Sequence, residues 1–122
     1  MKRSILIFTF FFSLMAVTQS CKKEKETTEI KDRTVNATIK KNQSFQYTFG
    51  LIGIEDGLDI SRQASHSDES MLSRDNSGKI IYSYQPRLDY TGTDQVEITY
   101  SMSDGANVVS TSKTIIKLNI TE

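Results

Sequence analysis

The only histidine of the chain lies in a segment whose residue types could carry out acyl-transfer chemistry. His66 stands between Ser65 and Ser67, with Asp68 close behind, so a nucleophile, a base and a carboxylate occur together. A catalytic triad also needs a nucleophile aimed at the base and an oxyanion hole, which neighbours along a polar loop do not supply. The sequence has no Gly-x-Ser-x-Gly nucleophile elbow. We interpret His66 as part of a solvated loop and predict that the protein is not an enzyme.

Aspartates near turn-forming residues raise a second possibility, a calcium site. The candidates are the segment 56–59 (Asp-Gly-Leu-Asp), Asp94 and Asp104. Calcium takes about six to eight oxygen ligands, and no spaced Asp-x-Asp-x-Asp loop is present to provide them. Turn capping explains these residues better, because an aspartate readily accepts backbone N–H bonds at a turn. The sequence therefore predicts no metal and no other cofactor.

Cys21 is the only cysteine, and it follows a segment with the features of an export signal. Lys2 and Arg3 give a cationic start, no residue in 4–20 is charged, and the middle of that stretch is strongly apolar. The apolar run is shorter than the about 20 residues that cross a bilayer, although a retained span remains the alternative. A lone cysteine cannot form an internal disulfide, and exported proteins seldom keep a free thiol without a role.

The stretch from Val17 to Cys21 resembles the lipobox of bacterial lipoproteins. The resemblance implies that the bond between Ser20 and Cys21 is cut, that the Cys21 thiol takes a diacylglycerol and that the new N-terminus is acylated. Thr18 departs from the family pattern, in which an aliphatic residue is usual. The start over 20–24 is similar to that of Bacteroidota-type lipoproteins, which implies a lipid-anchored cell-envelope protein of the outer membrane. Its face, periplasmic or surface, is left open.

Composition divides the chain into three parts. We predict a lipoprotein signal peptide over 1–20, a lipidated cysteine with a flexible charged tether over 21–34, and one folded domain over 35–122. The tether is dominated by charged residues and cannot bury enough apolar surface to become ordered. The whole chain balances 15 basic against 15 acidic residues without a basic stripe. A nucleic-acid partner is therefore not expected.

Alternating apolar residues predict that the domain is built from strands. The clearest runs lie at 44–52, 80–84, 96–102 and 114–120, with shorter candidates at 35–39, 58–61 and 71–73. In the first run Phe45, Tyr47, Phe49 and Leu51 share one face. Turn-forming residues separate the runs at 56–57, 76–78, 91–94 and 104–107. The polar stretch 62–79 is predicted least well and could be a long loop.

Several of these turns and strand ends resemble bacterial immunoglobulin-like and cadherin-like repeats. The matching elements are Tyr84-Gln85-Pro86, the turn 90–94, Val96 and the hairpin 103–105. The resemblance covers about 80–120 and implies an all-β fold, an immunoglobulin-like antiparallel β-sandwich. The chain departs from the family in a longer stretch over 94–104 and in having room for one copy rather than a tandem array.

The sequence thus leaves two functions open. The first is a membrane-anchored, non-catalytic binding or structural module that contacts an envelope protein or a glycan. The second is a periplasmic accessory or inhibitor protein that acts on an envelope enzyme by inserting the stretch 62–79.

Overall fold

The computed structural model describes residues 31–122, which form an all-β domain of seven strands. The strands are β1 (Arg33–Lys40), β2 (Phe45–Gly50), β3 (Gly57–Arg62), β4 (Ser67–Arg74), β5 (Ile80–Pro86), β6 (Gly92–Ser103) and β7 (Val108–Thr121). Within this range no helix is long and apolar enough to cross a membrane. The first strand begins two residues before the predicted domain start, a difference typical of strand-end assignment.

The strands form two sheets that pack as a sandwich. One sheet has the order β1-β7-β6-β3 and the other β2-β5-β4. All neighbouring strands are antiparallel except β1 and β7, which run parallel over Arg33–Lys40. The predicted immunoglobulin-like β-sandwich is therefore confirmed, with one parallel pair at the edge of the larger sheet.

The core lies between the sheets and follows the alternation of β5, β6 and β7. The buried apolar side chains of the cluster are Ile39, Tyr82, Tyr84, Val96, Ile98, Ile116, Leu118 and Ile120. Burial of each large aliphatic side chain contributes about 1.5–3 kcal/mol. Pro86 ends β5, as expected of a residue that cannot donate to the next ladder bond. The runs predicted at 80–84, 96–102 and 114–120 lie within β5, β6 and β7.

The sequence left open whether the stretch 62–79 is a long loop; it is not, and the strand candidate 71–73 lies within β4. The centre of this stretch forms β4, paired with β5 so that Leu72 lies opposite Tyr82 and Ser70 opposite Tyr84. The strand was hard to recognise because it is an edge strand with few apolar residues. The pairing of its backbone with β5, rather than apolar alternation, holds it in place.

The predicted inward face of β2 is confirmed for Phe45, Tyr47 and Phe49 but is wrong for Leu51. Gly50 has a φ of +84° and the pairing with β5 shifts between Thr48 and Gly50. A bulge changes which face the following residues occupy. Leu51 consequently leaves the strand and is 70% exposed.

Candidate functional site

Asp94 lies on the inward face of β6 and is a hub of hydrogen bonds. Its Oδ1 accepts the backbone N–H groups of Ser65 and Gln95, both at 2.9 Å. Its Oδ2 accepts the backbone N–H of His66 at 2.8 Å and the hydroxyl of Tyr84 at 3.0 Å. The sequence placed Asp94 in a turn over 91–94, which is wrong because β6 begins at Gly92. The carboxylate instead fastens the loop between β3 and β4 to the core.

The charge of Asp94 is stabilised by these donors. Burial raises the pKa of the Asp94 carboxyl, but the N–H groups of Ser65, His66 and Gln95 and the Tyr84 hydroxyl outweigh it, so its pKa lies below the ordinary value. The pKa of the Tyr84 hydroxyl is raised, first by burial and then by the Asp94 charge. The pair is therefore an ionised carboxylate held by a neutral phenol at neutral pH.

His66 sits beside this hub without forming a catalytic arrangement. Its ring stacks on Tyr90 with centroids 4.4 Å apart and an interplanar angle of 9°. Its Nδ1 lies 3.8 Å from Asp94 Oδ1 and has no hydrogen-bond partner. Ser65 approaches Asp94 through its backbone N–H, not its hydroxyl. The structure thus places the histidine near a carboxylate but shows no nucleophile aimed at it within residues 31–122.

A polar groove of about 550 Å³ opens on the outer face of the larger sheet, next to His66. Its floor is two cross-strand rows on β1, β7 and β6. One row is Asn36, Lys117 and Gln95; the other is Thr38, Asn119 and Thr93. Adjacent strands lie about 4.8 Å apart, so each row sets its side chains at a regular short spacing.

One side of the polar groove is walled by Arg62, Ser65 and His66. Arg62 also faces Glu97, with Nη1 and Oε1 3.5 Å apart, and Glu97 in turn lies 3.2 Å from the Lys113 ammonium. Glu97 is therefore already balanced by two cations. Lys117, on the floor, forms no ion pair in the part of the chain that the structure describes.

The other aspartates named from the sequence are dispersed. Asp56 accepts the backbone N–H groups of Gly53 and Ser103, each at 3.1 Å, and the Tyr100 hydroxyl, which together with the Ser103 N–H lowers its pKa. Asp104 caps its own turn by accepting two backbone N–H bonds, and these lower its pKa. Asp59 is exposed on β3. Across residues 31–122 no three His, Cys, Asp or Glu side chains are grouped so as to hold a metal ion.

Sequence reasoning did not find the polar groove, and its predicted lipidation site cannot be compared with the structure. Ser20 and Cys21 lie outside the described residues. The floor residues did carry a signal, since polar side chains alternate with apolar ones at Asn36 and Thr38 and again at Lys117 and Asn119. That signal predicts an exposed face, but not that the two strands are neighbours.

Comparison with known proteins gives fold likeness only. No family model and no curated protein matches the chain. Among solved structures, it is similar to the endo-fucoidan hydrolase MfFcnA4 from glycoside hydrolase family 107, with a TM-score of 0.48, 16% identity, and coverage of 73% of this chain and 13% of that one. It is also similar to the cysteine protease inhibitor EhICP2 from Entamoeba histolytica, with a TM-score of 0.42, 13% identity, and coverage of 74% and 94%. The chain spans only a small part of the hydrolase, and similarities this weak carry no argument about activity.

Proposed function

We propose that this protein is a cell-envelope lipoprotein, held to a membrane by lipid on Cys21, whose immunoglobulin-like domain is a non-catalytic binding module for a glycan chain. The observation that carries the binding role is the polar groove with its two regular rows of side chains on β1, β7 and β6. The lipobox-like stretch before Cys21 supports the anchor. Together they describe a tethered receptor for an envelope ligand.

The chemistry of the polar groove favours a ligand rich in hydroxyl and amide groups. Its floor offers three side-chain amides, two threonine hydroxyls and the Lys117 ammonium. Such a surface gains little from apolar burial, because the favourable term scales with the apolar area removed from water. It can instead form many hydrogen bonds, because side-chain amides both donate and accept them. A glycan chain satisfies these groups better than the apolar centre of a protein interface would.

The non-catalytic part of the proposal rests on the state of the titratable groups beside the polar groove. Both carboxylate oxygens of Asp94 are occupied by donors from the protein itself. A general base must lie within about 2.6–3.2 Å of the heavy atom whose proton it removes. The lone pairs of Asp94 already accept hydrogen bonds from the protein itself. His66 is stacked on Tyr90 and has no serine hydroxyl bonded to it. We infer that these residues shape the groove wall rather than react.

The second function that the sequence left open was an accessory or inhibitor protein that acts on an envelope enzyme. It depended on a long loop over 62–79. The stretch 62–79 is held as β4 along β5 and does not project as a long loop. An inhibitor would have to use another segment.

The anchor is tested by metabolic labelling with an alkyne fatty acid and by membrane fractionation. The native chain should take up label and sediment with membranes, whereas Cys21→Ala should lose the label and become extractable. Protease shaving of intact cells then reports the face on which the domain lies. Membrane retention of unlabelled Cys21→Ala would contradict the lipid anchor and favour a retained apolar span.

The binding role is tested by NMR titration of the signal-free Cys21→Ala chain with soluble peptidoglycan fragments and with neutral and acidic oligosaccharides. We expect shifts confined to the two rows, and at least about tenfold weaker binding in Lys117→Ala/Asn119→Ala, since each lost hydrogen bond contributes about 1 kcal/mol. Thr111→Ala, exposed on the same strand but outside the polar groove, is the matched control. Equal binding by all variants, or shifts elsewhere, would contradict this site.

A further inference from the structure

Exposed aliphatic side chains gather at one end of the domain. Four of the six large apolar side chains exposed in residues 31–122 lie there: Leu51, Ile54, Val108 and Val109, which we call the apolar pole. Ile54, at the tip of the loop between β2 and β3, is 100% exposed. Contiguous exposed apolar patches of more than a few hundred Å² mark protein or membrane contact sites, and these four side chains are candidates for such a patch.

The loops that carry the apolar pole are held in place by specific contacts. Asp56 ties the loop between β2 and β3 to β6 through the N–H of Ser103 and the hydroxyl of Tyr100. Gly78 and Gly105, in two neighbouring loops, lie close to this loop. A Cβ atom built on Gly78 would be 3.5 Å from Leu51 Cδ2, and one built on Gly105 would be 4.0 Å from Glu55 Cδ. The loops over 51–56, 75–79 and 104–107 therefore meet, and Ile54 is presented by a preformed structure.

The described chain begins beside the loop between β2 and β3, part-way along β7. Lys31 and Arg33 line a groove of about 350 Å³ together with Leu51, Ile52 and Met102. Arg33 lies opposite Thr114, six residues into β7 from Val108, and β1 runs from there away from the apolar pole. The polar groove lies toward the far ends of β1 and β7. A tether on the N-terminal side of the chain would thus hold the domain on the side of the polar groove that faces the apolar pole.

The length of chain before Lys31 limits how far this end can be from the anchor. Lys31 follows Cys21 by ten positions, which span at most roughly 35 Å when fully extended. A lipid on Cys21 would therefore keep Lys31 within roughly 35 Å of the headgroup layer.

We propose that the apolar pole seats in the interfacial layer of the bilayer, which rests on the proposed lipid anchor and orients the polar groove away from the membrane. Ile54 and Leu51 enter the boundary between headgroups and acyl chains, at a depth of about 5–10 Å. Lys31, which lines a groove with Leu51, lies toward the headgroups, where its long side chain can reach the phosphates. Glu55 and Asp104, also exposed at this end, stay in water.

The absence of tryptophan from the chain allows a direct test with one probe at a time. Ile54→Trp places an indole at the apolar pole, and Leu88→Trp places one in the loop between β5 and β6, at the opposite end, where Leu88 is 74% exposed. The full lipidated protein is reconstituted into phosphatidylcholine vesicles with or without brominated acyl chains. We expect a blue shift and about twofold or greater quenching for Ile54→Trp alone, because only an indole at acyl-chain depth meets the bromines.

Several outcomes would overturn the proposal, and each is separable from failure of the anchor. Equal quenching of both probes, or of neither, on vesicles that carry the protein would show that the apolar pole is not selectively inserted. Shielding of Ile54→Trp from acrylamide in native membranes without quenching by brominated lipid would instead indicate a protein partner. If the cell does not lipidate Cys21, the protein will not float with vesicles; coupling the signal-free chain through Cys21 to a maleimide lipid then supplies the tether and the same comparison decides.

Discussion

Replacement of Asp94 by asparagine tests the role assigned to this carboxylate with little change in shape. The one remaining oxygen can keep the N–H donors of Ser65 and Gln95, at 2.9 Å in the native domain. The new amide nitrogen then faces the N–H of His66, a donor against a donor. The loop between β3 and β4 loses one backbone bond outright, and the other bonds lose the help of a negative charge.

The size of the effect follows from the energies of such bonds. A hydrogen bond to a charged group contributes about 1.5–3 kcal/mol, and a buried donor left unpaired costs about 1–3 kcal/mol. We therefore expect Asp94→Asn to lower the free energy of unfolding by about 2–4 kcal/mol. A domain of this size is stable by only about 5–14 kcal/mol, so the midpoint of thermal unfolding should fall by roughly 10–25 °C.

The same reasoning gives the sign of a pH effect. The pKa of Asp94 is lower in the folded domain than its ordinary value of 3.8. A carboxyl with a depressed folded-state pKa contributes stability that is fully present above its unfolded pKa and is lost as the pH falls through the folded pKa. The native domain should thus lose stability as the pH drops below about 4, and Asp94→Asn should show a shallower loss.

The assay is urea unfolding followed by circular dichroism at neutral and at acidic pH, with Asp59→Asn as the matched control. Asp59 is an exposed aspartate on β3, so its replacement should change the free energy of unfolding by no more than about 0.5 kcal/mol. A loss below about 1 kcal/mol for Asp94→Asn, or equal acid sensitivity in both variants, would refute the assignment of Asp94 as the clamp of this loop.

Two further predictions concern backbone strain and alkaline pH. Gly92 has a φ of +134°, and a Cβ there would lie 2.9 Å from the Tyr90 hydroxyl. Gly92→Ala should therefore lower the free energy of unfolding, measured in urea, by about 2–4 kcal/mol. Gly50→Ala is the control and should lower it by about 1 kcal/mol, because no atom lies within 4 Å of the added Cβ. Comparable losses would contradict the close contact. Burial raises the pKa of Tyr82 to about 12, so the stability that the neutral ring contributes is complete below pH 10 and is lost as the pH rises toward 12. Tyrosinate absorbance and circular dichroism should therefore change together in that range. Ionisation of all tyrosines in a domain that is still folded would argue against the buried ring.

The alternation of apolar residues was enough to predict the strands that build the core. In β5, β6 and β7 the buried positions alternate with a period of two and are apolar except for Asp94 and Thr114. The same rule found only 71–73 of β4, because the inward Ser70 breaks the pattern. It also misplaced Leu51, because a positive φ at Gly50 cannot be predicted from a run of residues. Local patterns predict faces well and irregularities poorly.

The polar groove and the Asp94 clamp depend on contacts between distant parts of the chain. Asn36 lies beside Lys117, a separation of 81 positions, and no local pattern predicts that these strands pair in parallel. Asp94 reaches Ser65 across 29 positions. The sequence could show which residues are polar, exposed or able to cap, but the pairing of strands decides which of them act together.

The parallel pairing of β1 with β7 also determines how the domain bears tension. With the proposed tether before Lys31 and the proposed ligand in the polar groove, a pull between them would be directed along β1, from Arg33 toward Lys40. Because all eight register pairs with β7 are aligned with that axis, the load is shared by the whole ladder at once, as in shear, and does not open the bonds one after another as peeling would. Under the proposed lipid anchor, the strand nearest the tether would thus have the geometry that resists extraction most strongly.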